Sequence, residues 1–277
     1  MLRANWQKVT MKQSGRIRVG IGGWVYAPWR NNFYPHKLAQ KRELEYASRR
    51  VTAIEVNGTW YGAQKPESYA RWRDETPDDF MFSAKAPQRI TMSRTLAKSG
   101  GAIEDFLGGI STLGPKLGPI VWQFEKGLKV DRGEFTEFLS LLPKQIAELK
   151  LRHVLDVRDT GLVDADYLAL VRQHSMATVF TDSKDYPSFA DLSADFVYAR
   201  LMRSRTEIAA GYPDNELDQW LNRTHAWSQG SDPADLPYLS PMQPDAGKRD
   251  VFVFFISSAK ERNPAAAMAL LHKLGAT

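Results

Sequence analysis

The chain has 277 residues, 43% of them hydrophobic and 25% charged, with no cysteine and a formal net charge of +5. This balance fits an ordinary globular protein and excludes a collagen-like rod, a coiled coil or a disordered chain; without cysteine there are no disulfides, thiolate metal ligands or thiol nucleophiles. No run reaches the roughly 20 apolar residues of a membrane span, and the mild basic excess favours anionic partners without demanding nucleic acid.

Residues 1–15 lack the apolar core of a secretory signal and read as a disordered or loosely attached leader, with Met11 a second candidate start. Short apolar runs then recur: Ile17–Ile21, Ala53–Val56, Phe80–Ala84, Ile120–Phe124, Val154–Arg158, Thr178–Asp182, Phe196–Leu201 and Val251–Ile256. Most are rich in β-branched or aromatic residues, the composition of strands buried on both faces. Between them Pro66–Glu75, Ala102–Leu113, Glu134–Leu142, Asp164–His174, Asn215–Ser228 and Pro264–Leu274 carry apolar residues at helical spacing. Pro66 and Pro264 suit the first turn of a helix. Gly20, Gly22 and Gly23 end the first run, but Trp24 and Pro28 stand where a dinucleotide-binding helix would begin. Residues 229–250, with four prolines, read as a long loop that supports no packed element.

Strands alternating with helices predict parallel pairing with right-handed crossovers. Eight such units match the size of an α/β (β/α)8 TIM barrel, a single domain over residues 16–277. A doubly wound open sheet is the alternative fold.

In such a barrel the polar residues of the strands point inward or sit at the C-terminal ends, where the active sites of this architecture lie. This rule selects Glu55, Asp156 and Asp182 as candidate catalytic acids. It selects Asn57, Lys85, Gln123, Arg158, Tyr198 and Arg200 as substrate-binding groups, with Ser83 and Glu125 beside them. Trp24 and Tyr26 belong to an aromatic first loop suited to a stacking wall, and Trp60 and Tyr61 follow the second strand. Arg203 and Arg205 follow the seventh strand, near where many barrels grip phosphate. None of the five histidines falls at a strand's C-terminal end, so a histidine-held metal and Ser–His–Asp catalysis are not expected. No cofactor is expected. A magnesium or manganese ion on Glu55, Asp156 and Asp182 is the metal alternative, and the neighbouring arginines argue against it.

The chain from Ile17 onward resembles the YecE-like family, also called domain of unknown function 72. The resemblance rests on GGWVYAPWRNNFYP at 22–35, IEVNGTWY at 54–61, Trp72, Thr76-Pro77, Phe80 and Lys85. It continues through KLGPIVWQ at 116–123, Asp182, YARL at 198–201, Trp220 and FVFF at 252–255. It implies a TIM barrel without an established reaction and a pocket lined by Trp24, Tyr26, Glu55, Asn57, Lys85, Gln123, Arg158, Asp182 and Arg200. Where that family carries histidines, this chain has Met92, Asp159 and Met202, which puts any imidazole chemistry in doubt.

The expected function is that of an enzyme, or former enzyme, acting on a small anionic compound such as a phosphorylated sugar or nucleotide fragment. Its chemistry would be acid–base (hydrolase, lyase or isomerase) without histidine, and its compartment a reducing cytosol. The alternative is a non-catalytic ligand-binding or weak nucleic-acid-binding protein. The pairs Lys41-Arg42 and Arg49-Arg50 attract polyanions but form no continuous basic stripe. The sequence carries no signal for an oligomeric state.

Overall fold

Eight parallel strands close on themselves in a computed structural model that describes residues 15–128, 130–241 and 247–275. They are β1 (Ile17–Gly22), β2 (Ala53–Val56), β3 (Met81–Lys85), β4 (Leu117–Phe124), β5 (His153–Val157), β6 (Ala177–Thr181), β7 (Phe196–Leu201) and β8 (Asp250–Phe255). Each pairs with its neighbour in sequence, and β8 returns to β1 with Ile17 opposite Val251, so no edge is left open. The barrel rather than the open sheet is thus the fold. The expected leader lies outside the described residues except for Gly15.

Alternation along the strands sorts the side chains into two cores. Ala53, Val121, Val154, Val179, Phe196, Phe252 and Phe254 fill the barrel interior. Ile54, Val56, Phe82, Trp122, Leu155 and Val253 face the helical jacket. Gly20 is required by the tight closure, because a Cβ there would lie 2.2 Å from the Ala53 carbonyl oxygen.

Counting helices of five or more residues, the jacket comprises α1 (Glu43–Ala47), α2 (Pro66–Glu75), α3 (Gly100–Ile110), α4 (Arg132–Leu141), α5 (Ala165–Gln173), α6 (Asp214–Gln229) and α7 (Asn263–Lys273). Asp131 and Asp164 cap α4 and α5 by accepting the amides of Glu134 and Tyr167. The strict strand–helix alternation fails once, since residues 182–195 join β6 to β7 without a helix.

The proline-rich segment packs against that gap. Asp191 is buried and accepts the Leu239 amide (2.6 Å), the Ser240 amide (3.0 Å) and the Ser240 hydroxyl (2.6 Å). The Ala190 amide donates to the Pro237 carbonyl. A buried Arg249–Asp232 pair at 3.2 Å ties the segment to the foot of β8. Composition forbade a regular element here but not packing, because one buried carboxylate and one arginine satisfy a run of otherwise loose backbone. Residues 242–246 lie outside the described set.

Candidate functional site

At the C-terminal mouth the inward series continues from hydrocarbon into charge. Glu55 follows Ala53 up the inside of β2 and is wholly buried. Its carboxylate accepts Arg200 Nε (2.9 Å), Arg200 Nη2 (2.6 Å) and the Tyr198 hydroxyl (2.7 Å). Arg200 sits two residues above Tyr198 on β7 and gives Nη1 to Asp156 of β5 (2.6 Å) and to Gln123 Oε1 of β4 (3.3 Å). Arg158 follows β5; its Nε donates to Asp156 (3.2 Å), its Nη1 to Glu125 (3.2 Å) and its Nη2 to Gln123 Oε1 (2.9 Å). Its guanidinium also lies 4.4 Å from the centre of the Tyr186 ring. Gln123 completes the lattice by donating to Glu125.

Electrostatics follow from this pairing. Burial pushes the Glu55 carboxyl up, but the bidentate Arg200 contact, with Lys85 nearby, overrides it and holds the group below the usual range. Burial works against Arg200 in turn, and Glu55 and Asp156 outweigh it, so the guanidinium is held more firmly protonated than usual. The hydroxyl of Tyr198 is pushed far up by burial and by Glu55. Every member of this floor is committed to another.

The open side of the mouth is different. A cavity of about 360 Å3 is bounded by the floor and by Asn57, Trp60, Tyr61, Lys85, Ser257 and Lys260. Lys85 ends β3 at 8% exposure, and no carboxylate among the described residues lies within 4 Å of its Nζ, which rests 4.5 Å from the Trp60 ring centre. Burial, followed by the charge of Arg200, brings its pKa down to about 8. Lys260 likewise has no ion pair; its Nζ lies 4.5 Å from the Tyr26 ring centre, and burial lowers its pKa. Ser257 and Ser258 both adopt left-handed backbone (φ 59° and 45°) at the rim. Asn263 donates to the Ser257 carbonyl and Ser258 to the Met202 carbonyl, so the surrounding structure holds a conformation that costs about 1–3 kcal/mol per residue.

Six of the eleven expected site residues therefore border this cavity: Glu55, Asn57, Lys85, Gln123, Arg158 and Arg200. Asp156 lies just beneath as the shared partner of both arginines. Four are placed differently. Tyr198 is fully buried below Glu55, 2.7 Å from the Ser83 hydroxyl, and supports the floor rather than touching the cavity. Asp182 falls beyond the end of β6 and accepts the Met202 amide (2.5 Å) and the Tyr212 hydroxyl (2.9 Å), with its pKa raised by burial. It joins two loops instead of facing the mouth. Trp24 lies beyond β1 and packs edge-on against Trp72 of α2 (4.9 Å) and Phe82 (6.4 Å), outside the barrel. The chain reverses its course at Gly23 (φ 75°), which carries Trp24 to the jacket. Tyr26 reaches the site only through Lys260.

Lys260, Ser257 and Asn263 escaped the sequence reading because they come from the loop and helix start after β8, and strand alternation says nothing about loops. A lone lysine in KERNP was the sole signal. Arg205 is taken by Glu216 at 2.5 Å, so it is not a free phosphate ligand, and Arg203 is exposed. Of the substituted positions, Met202 is buried and Asp159 accepts the amides of Gly127 and Gly161, whereas Met92 is exposed. His153 opens β5 at the opposite end, held between the Trp122 indole and the Pro143 carbonyl.

Among the described residues, no group of three or more His, Asp or Glu side chains is placed to hold a metal ion. The three acids considered for magnesium or manganese are not gathered, since Asp182 faces elsewhere. A larger cleft of about 640 Å3 opens at the N-terminal face beside Lys144, Arg152, Arg172 and Lys248. Arg152 there is paired with Asp250 and Arg172 is engaged by Leu192 and Ser240. The smaller cavity is the better candidate because it collects strand-end groups at the barrel's catalytic face.

Comparison with known proteins bears on the whole chain. A family model described as protein of unknown function DUF72 matches residues 18–277. UPF0759 protein YecE of Escherichia coli K12 is 28% identical over 254 residues, covering 83% of this chain and 87% of the relative. Two crystal structures of DUF72 family proteins share the fold. That from Thermotoga maritima has a TM-score of 0.72 at 20% identity, covering 94% of this chain and 99% of its own. That from Enterococcus faecalis has 0.68 at 14%, covering 95% and 99%.

Proposed function

The chain belongs to the DUF72 family of proteins of unknown function, and from that premise we propose that it is an enzyme, or a former enzyme, acting on a small anionic compound at the C-terminal mouth of the barrel. The observation that carries this reading is the contrast between paired and unpaired cations. Arg158 and Arg200 are neutralised by Glu55, Asp156 and Glu125, whereas Lys85 and Lys260 border the cavity without a carboxylate partner among the described residues. A half-buried cation without an anion is costly, and a bound phosphate or carboxylate relieves that cost. The anion-binding role therefore passes from the arginines to the two lysines.

The remaining parts take complementary roles. Trp60 and the 81%-exposed Tyr61 wall the cavity on one side and suit a sugar ring or base. Asn57 offers both a donor and an acceptor to a hydroxyl-bearing substrate. Glu55 serves as a fixed counter-charge, because a carboxylate held below its usual range is a poor proton acceptor near neutral pH, and Asp156 bridges the two arginines. Glu125 is also paired with Arg158, but its side chain is 34% exposed, which makes it the mouth carboxylate nearest to solvent, and it takes the proton-transferring role. The volume lies within the range of small-molecule sites, roughly 300–1,000 Å3. No cofactor is assigned to this chemistry. The absence of cysteine is consistent with a reducing cytosol.

A thermal-shift screen of sugar phosphates, nucleotides, inorganic phosphate and divalent ions tests the reading. A stabilising anion should lose at least tenfold in affinity in Lys85→Met and in Lys260→Met. An anion that binds both variants as tightly as the unaltered protein would place the site elsewhere.

A further inference from the structure

We propose that Lys85 is a nucleophilic lysine whose side-chain nitrogen forms an imine with the carbonyl carbon of a small anionic aldehyde or ketone held in the mouth cavity. This deepens the preceding reading and rests on it, since the same cavity must admit the ligand. Three features of geometry single out this residue. Its Nζ borders the cavity from the C-terminal end of a barrel strand, a rigid platform. Among the described residues its Nζ engages neither an ion pair nor a hydrogen bond, while its backbone carbonyl is held by the Thr59 hydroxyl at 2.7 Å. The face of Trp60 lies against it, and the charges that act on it are those of Arg200, then Glu55, Arg158 and Asp156, with the Arg200 guanidinium foremost.

A lysine that is desolvated beside other cations is one of the general routes to a neutral, reactive amine at ordinary pH. The pKa of about 8 leaves roughly a quarter of the Lys85 side chains neutral at pH 7.5, against about a thousandth for an ordinary lysine. Lys260 lines the same cavity and also answers the ligand's charge, so an anion stays held in the fraction of molecules whose Lys85 is neutral.

The step balances within the site. The nitrogen lone pair attacks the carbonyl carbon and forms the N–C bond, while the carbonyl electron pair moves to oxygen and is protonated. The carbinolamine then expels that oxygen as water, and the C=N bond forms. Both hydrogens of the water come, in net, from the neutral amine. No oxidant, reductant or metal takes part.

Borohydride trapping on the full chain tests this. Dihydroxyacetone phosphate, pyruvate and glyoxylate are incubated with the protein, reduced, and the adducts located by peptide mass spectrometry; glycerol 3-phosphate, which has no carbonyl, serves as the control. The expected result is a reduced adduct on Lys85 at least tenfold above that on exposed Lys150, rising with pH and levelling off just above pH 8. Reading the unaltered protein residue by residue keeps the test independent of whether Lys85→Met folds. The proposal is overturned if none of the three carbonyl compounds marks Lys85, if Lys260 is marked in its place, or if labelling simply follows exposure. If glycerol 3-phosphate stabilises the protein while no Lys85 adduct forms, the imine is lost and the anion site survives. Should no anion bind but glyoxylate still mark Lys85 selectively, the anion reading falls and the reactive lysine stands.

Discussion

Replacing Arg200 by methionine removes the hub of the mouth while nearly preserving its volume. In the unaltered protein Arg200 gives three charge-assisted hydrogen bonds of 2.6–2.9 Å, two to Glu55 and one to Asp156. Arg200→Met leaves Glu55 without exposure to water and with Tyr198 as its remaining donor. Breaking a buried pair in this way costs about 3–5 kcal/mol, because the surviving charge is stranded. For a chain of this length that corresponds to a fall in Tm of roughly 5–9 °C. Glu55→Gln should cost less, since it removes a charge without stranding one and Asp156 still neutralises Arg200. The double variant Glu55→Gln/Arg200→Met should be more stable than Arg200→Met alone, because no isolated Glu55 charge remains. Urea denaturation at pH 7 reads all three. The pH dependence gives an independent check with a definite sign. The Glu55 pKa is depressed in the folded state, so its contribution is complete above the unfolded value near 4.5 and is lost as pH falls through the lower folded value. The deficit of Glu55→Gln should therefore shrink below about pH 4. A loss below about 1 kcal/mol in Arg200→Met, or a double variant as unstable as the sum of the singles, refutes the buried-lattice account.

Lys85 should show a pH dependence of the same sign in a higher window. Its folded pKa of about 8 lies below the ordinary 10.5, so the unfolded chain binds the extra proton between these values and stability rises with pH across that window. Measured against Lys85→Met, the gain should approach about 3 kcal/mol by pH 10.5; a flat difference excludes the shift. His153, held at about 4 by burial, should keep a neutral ring at pH 6, so its NMR ring signals should not move until the pH approaches 4, and folding should weaken as pH drops from 6.5 toward that value. Asp182→Asn and Trp24→Phe should leave the affinity of a mouth ligand within twofold, whereas Trp60→Ala should weaken it by at least fivefold in isothermal titration. Loss of binding in Asp182→Asn would return that acid to the site.

The chain's own pattern determined the barrel. Eight short buried runs separated by helical stretches leave little choice but parallel strands, and period-two alternation then assigns Glu55, Lys85, Gln123, Asp156 and Arg200 to the inside of the mouth. Both signals are local, carried within five or six residues of one strand. What only the tertiary structure decided is which of those charges are still free. Glu55 and Arg200 are 145 residues apart, and closure of the sheet alone makes them a pair. The same closure consumes Arg158, turns Asp182 and Trp24 away from the mouth, and brings Lys260 in from a loop that obeys no period. It also fills the missing crossover with a proline-rich strap, anchored by Asp191, whose composition promised no packing. A side chain's facing follows from its own strand, but its availability depends on partners that the chain supplies from elsewhere.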